Sequence, residues 1–126
     1  MTNGSALQER YLRDSLPLRL GGLAANLARV QSFSDNPAHG DVVARLLEES
    51  AWFIEWTAAD APLDTQVALV ACQRVLAHWR LGWDKIWADA KRRAEVAERA
   101  GAWSQQFLGL SGLLQAESKG HASHGV

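Results

Sequence analysis

The stretch LDTQVALVACQRVLAHWRLGWDKIWA, residues Leu63–Ala88, decides the fold. It sets Trp79, Trp83 and Trp87 four residues apart, beside Cys72, Val75, Leu76 and Ile86. Wound into an α-helix of about 3.6 residues per turn, the three indoles share one face with Ala68, Leu69, Cys72, Val75, Leu76 and Ile86. Gln66, Gln73, Arg74, His78, Asp84 and Lys85 take the rest of the circumference with a few smaller apolar residues. The segment predicts one amphipathic helix, about 39 Å long at ~1.5 Å per residue, whose apolar side needs long neighbours.

The flanking sequence supplies them. Leu7, Tyr11 and Leu12 suit a short helix before Pro17, which fits the first turn of a new helix capped by Asp14 or Ser15. Leu16, Leu20, Leu23, Leu27 and Val30 then alternate spacings of four and three, a packed helix seam. Gly21, Ala25 and Ala28 form a separate stripe of small residues that suits close approach of another backbone. Ser34-Asp35-Asn36-Pro37 stops that helix and starts the next, with Asn36 as cap and Pro37 in the first position. Val43, Leu46, Leu47, Ser50, Phe53, Ile54 and Thr57 form its inward face. At Ala59-Asp60-Ala61-Pro62 a second breaker gives the tryptophan helix a capping Asp and an early Pro. A turn near Ala88–Arg92, with Asp89 as cap, leads to a last helix with Val96, Ala100, Trp103, Phe107, Leu110 and Leu114 in a heptad pattern. Together these segments predict an all-α protein, an antiparallel up-down four-helix bundle with a short extra N-terminal helix. The bundle domain takes residues 1–115; the small, polar residues 116–126 read as a disordered tail.

Composition narrows the function. The chain's 126 residues suit a single domain with a continuous core. Its 13 basic and 14 acidic residues leave a formal charge of −1, and Asp89, Glu95 and Glu98 interleave with Lys91, Arg92 and Arg93. No nucleic-acid footprint is expected. One cysteine, Cys72, rules out an internal disulfide and falls on the apolar face, where a buried thiol is expected. Without a basic and apolar leader at Met1, and with no run of the ~20 apolar residues a membrane span needs, a cytoplasmic protein with no membrane span is expected.

The candidate sites are aromatic. Trp79, Trp83 and Trp87 either fill the core or line a pocket for a flat apolar ligand such as a pigment. Trp52 and Trp56 fall outside the inward stripe of their helix, beside Arg45 and Glu49. They form an exposed interface patch, or the N-terminal segment with Tyr11 covers them.

Catalytic and metal chemistry lack a motif. None of Glu48, Glu49, Glu55, Glu95 and Glu98 is followed three residues later by the His that bundle di-iron sites use. His121 and His124 lie in the polar tail, and His39 is a surface position. Arg74 and His78 stand closer together than the Arg/His motif of the helical HEPN-type ribonucleases requires. No catalytic residue, metal or cofactor is assigned.

Across Leu12-Arg13-Asp14-Ser15-Leu16-Pro17, Arg19 to Arg29, Glu48-Glu49-Ser50 and Phe53-Ile54-Glu55-Trp56, the chain resembles a set of small all-helical proteins of cyanobacteria. The resemblance spans roughly Leu12–Leu114. It implies a helical fold and a cytoplasmic setting in a photosynthetic cell, with no activity or catalytic residue to carry over.

The expectation is a non-enzymatic helical bundle acting by protein–protein interaction, as a homodimer or an adaptor. Its surface would use Trp52, Trp56, Arg45 and Glu49, with Gly21, Ala25 and Ala28. The alternative is a carrier of an apolar or pigment ligand beside Trp79, Trp83 and Trp87.

Overall fold

The computed structural model describes residues 2–113, with side chains from Ser5 onward. Leu114, His121, His124 and the tail expected over 116–126 lie outside the described residues. Among the described residues six α-helices follow one another: α1 (Thr2–Arg13), α2 (Leu16–Phe33), α3 (Gly40–Thr57), α4 (Leu63–Leu81), α5 (Trp83–Ala88) and α6 (Ala90–Ser111). Single 3-10 turns stand at Pro37–His39 and Ala58–Asp60, and there is no strand among the described residues. The protein is all-helical.

The helix at the centre is α2, not the tryptophan-bearing stretch. It packs along α6 and α3, and α4 rests chiefly on α3. Its seam follows the expected one from Leu20 onward: Leu20, Leu23, Leu27 and Val30 are at most 2% exposed, while Leu16 is half-buried. Burying such a side chain contributes about 1.5–3 kcal/mol. The inward face of α3 is also the expected set, Val43, Leu46, Leu47, Ser50, Phe53, Ile54 and Thr57. In α6, Val96, Ala100 and Phe107 are buried, and Trp103 stacks on Phe107 with ring centroids 5.6 Å apart.

The close approach of α2 to α6 falls beside the expected stripe. Ser104 Oγ donates to the Ala24 carbonyl at 2.7 Å, and Ala24, Ala100 and Ser104 are all buried. Ala25 and Ala28 are exposed instead. Gly21 is half-buried against its own chain, where an added Cβ would stand 3.0 Å from Leu113 Cδ1.

The helix ends follow local chemistry. Ser15 is the N-cap residue of α2, with Pro17 in the first turn, where a missing N–H costs nothing. Asn36 Oδ1 accepts from Ala38 N–H at 2.9 Å, but this caps the 3-10 turn, and α3 starts later, at Gly40. Asp60 does not cap α4: Pro62 holds that position, and Asp60 pairs with Arg19. Asp89 caps α6 as expected, accepting from Lys91 N–H at 2.9 Å and Arg92 N–H at 3.4 Å.

The expected single helix over Leu63–Ala88 is broken at Gly82. This residue ends α4 with φ −115° and ψ 27°, outside helical geometry. Glycine lowers the cost of leaving the helix, and the contacts that favour doing so come from the next turn. Trp83 Nε1 donates to the Gly40 carbonyl at 3.3 Å and Trp87 Nε1 to the Pro37 carbonyl at 2.7 Å. The short α5 thus closes over the α2–α3 corner.

Candidate functional site: the outer face of the fourth helix

Two faces of α4 are apolar. Thr65, Ala68, Leu69, Cys72, Leu76 and Trp79 turn inward and are buried. On the opposite side Leu63, Val67, Val70, Arg74, Ala77 and Leu81 follow spacings of four, three, four, three and four. At about 100° per residue these six stay within one narrow stripe, centred opposite the buried face. Leu63, Val67, Val70 and Leu81 are 76%, 63%, 49% and 91% exposed. An apolar hollow of about 410 Å³ lies over Leu63, Val67 and Val70. Sequence reasoning missed this stripe by following the indoles, although its heptad spacing stands in the same segment.

Beside it, α4 and α6 bound an open groove of about 330 Å³ lined by Arg74, Val75, His78, Trp79, Glu95 and Arg99. Its rim is polar. Among the described residues neither Arg74 nor Arg99 is in an ion pair. On the buried face of α4, burial pushes the Cys72 thiol from 9.0 up to about 12, against a smaller opposing effect of the Arg99 charge. A thiol held neutral is a poor nucleophile.

Trp52 and Trp56, expected either as an open patch or under the N-terminal segment with Tyr11, are both half-buried. They stack with centroids 6.0 Å apart. Tyr11 of α1 lies over Phe53 at 4.2 Å in a parallel stack and reaches Trp56 at 5.8 Å. Of the expected neighbours, Arg45 is exposed, while half-buried Glu49 accepts from Asn26 Nδ2 at 3.4 Å. The N-terminal helix shelters Trp56, and the small-residue stripe is not brought to this face.

Under Tyr11 lies a polar cluster that sequence reasoning missed. The phenol donates to the Arg19 carbonyl at 2.8 Å and stands 2.9 Å from Thr57 Oγ1. Burial raises its pKa from 10.0 to about 12, the Thr57 bond working the other way. Arg19, 8% exposed, sends Nη1 to Asp60 Oδ2 at 3.0 Å and the Trp56 carbonyl at 3.4 Å. These groups hold α1, α2 and the end of α3 together.

The tryptophan ladder is divided between two helices. Trp79 is 9% exposed on α4, while Trp83 and Trp87 are half-buried on α5, 5.2 Å apart, and spend their N–H groups on backbone carbonyls. Arg93 lies over the Trp87 ring at 5.7 Å, a cation–π distance. Of the three indoles, Trp79 alone lines the α4–α6 groove.

No helix among the described residues is long and apolar enough to cross a membrane. No protein-family model, no curated protein and no solved structure matches the chain.

Proposed function

We propose that this chain is a non-enzymatic helical protein that acts by binding another protein, and that it docks through the outer face of α4. One observation carries this reading: four large aliphatic side chains stand exposed in one helix-length stripe. Exposed apolar surface gathered on one helix face, as at Leu63, Val67 and Val70, is typical of interaction sites; Arg74 separates these three from Leu81. Trp52 and Trp56 carry less of the case, because Tyr11 and Phe53 already pack against Trp56. The paired contacts Arg19 with Asp60, Asn26 with Glu49, Gln66 with Ala58 and Arg80 with Glu48 support an antiparallel up-down order for α2, α3 and α4.

The test is the particle size of the tagged protein in extracts of its host. Val67→Glu changes a residue that is mostly solvated, so the fold should tolerate it, while a buried charge disrupts an apolar contact. The wild type should migrate as a larger particle and the variant as a single chain. A wild type that migrates as a single chain in the extract overturns the reading.

A carrier function has one supporting observation, the groove against Trp79. Its arginine rim suits an anionic ligand better than an apolar one. A chromophore absorbing in the visible and co-purifying from the host would favour that reading.

A further inference from the structure

We infer that the occupant of the α4 outer face is a second copy of this chain, laying its own α4 antiparallel across the first. This rests on α4 being the docking face and goes further by naming partner and register. The spacing of the stripe, though not its residues, reads the same from both ends. Its spacings of four, three, four, three and four superpose on themselves when the helix is turned end over end. Leu63 then meets Leu81 of the other copy, Val67 meets Ala77 and Val70 meets Arg74. That is the requirement of a two-fold interface, in which residue i touches j and j touches i. The alternation of four and three is also the spacing that keeps one helix seated along another.

The flanking residues favour the antiparallel pairing. Asp64, Ala71 and His78 flank the stripe on one side; Gln66, Gln73 and Arg80 flank it on the other. In a two-fold antiparallel pair each flank faces its own counterpart in reverse order. Asp64 then faces His78, and Gln66 faces Arg80, each pairing occurring twice. A parallel pair would set opposite flanks together, Asp64 against Gln66 and His78 against Arg80, and would bring the two copies of Arg74 level with each other. Antiparallel packing also opposes the two helix dipoles favourably.

Arg74 is the exception within the stripe. It sits near the two-fold axis, and its counterpart would lie about 6 Å away along the helix. Its stem can stay on the apolar stripe while the guanidinium leans into the α4–α6 groove, which Glu95 also lines. A polar residue at a seam position costs stability and fixes register.

The experiment is sedimentation equilibrium on the purified full-length protein, followed by cysteine cross-linking. The wild type should be a dimer in the micromolar range, and Val67→Glu a monomer of unchanged helicity. Arg74→Leu should tighten the dimer by about tenfold or more, removing two like charges near the axis. Val67→Cys mixed with Ala77→Cys should form a disulfide-linked heterodimer, and neither variant alone should link. In this register two copies of residue 67 stand about 15 Å apart along the helix. Buried Cys72 stays silent. A purified wild type that remains monomeric overturns the inference, and a large particle in the host extract would then leave the docking face standing with a different partner. Self-linking of Val67→Cys overturns the antiparallel register.

Discussion

Arg19 Nη1 lies 3.0 Å from Asp60 Oδ2, joining the first turns of α2 to the turn that follows α3. The Arg19 side chain is 10% exposed and that of Asp60 58%, so the cost of separating them is unequal. Removing Asp60 leaves a buried guanidinium whose Nε already lacks a partner. Asp60→Ala should therefore cost about 1–2 kcal/mol. Arg19→Met, which removes the buried charge and keeps an apolar stem, should be close to neutral. Urea unfolding of the two variants checks this: equal losses would show that the pair contributes as an ordinary surface bridge.

Tyr11 ties α1 to the same place. Tyr11→Phe keeps the stack on Phe53 but leaves the Thr57 hydroxyl without its phenol partner, at a cost of about 1–2 kcal/mol. The effect of pH follows from the raised pKa values. Folded Tyr11 and Cys72 stay neutral to about 12, while in the unfolded chain they ionise near 10.0 and 9.0. Ionisation favours the unfolded chain, so their contribution is complete below pH 9 and is lost as pH rises from there towards 12. The urea midpoint should fall across that interval, and Tyr11→Phe should flatten the part above pH 10.

Gly40 and Trp87 should show strong coupling. A Cβ on Gly40 would stand 2.8 Å from Trp87 Nε1, the atom that donates to Pro37. Gly40→Ala should cost about 1–3 kcal/mol through this overlap. Gly40 has φ −54° and ψ −43°, ordinary helical values that alanine prefers. In a Trp87→Ala background the same change should become stabilising by up to about 1 kcal/mol. A double-mutant cycle measures the reversal; a cost that persists without the indole would place the strain elsewhere.

The legible parts of the fold are those where a face periodicity and a breaker agree. Pro17 and Asp89 mark the starts of α2 and α6 by local backbone chemistry, Asn36 marks the 3-10 turn before α3, and the inward stripes of α2 from Leu20 onward and of α3 are buried. Gly82 was not legible as a break, because a glycine inside an amphipathic pattern stops a helix only if distant contacts favour stopping. Those contacts, from Trp83 and Trp87 to Gly40 and Pro37, span 43 and 50 residues of sequence. The Tyr11 and Arg19 cluster was hidden for the same reason. The outer stripe of α4 was hidden differently: its residues are aliphatic like the core ones, and only tertiary placement says which of two apolar faces is left uncovered.

Trp52 and Val67 separate the surface expected from the sequence from the one proposed on α4. Trp52 is half-buried and stacked on Trp56, so Trp52→Ala should lower stability by about 1 kcal/mol through lost aromatic contact. It should leave the sedimentation mass of the purified protein unchanged. Val67→Glu should do the opposite, changing mass while moving the urea midpoint little, because Val67 is 63% exposed and makes few contacts to lose. The crossed pattern matters more than either result, since a general loss of folding would move both readouts together. If Trp52→Ala dissociates the assembly and Val67→Glu does not, the contact surface lies on the α3 flank and the α4 stripe is merely exposed.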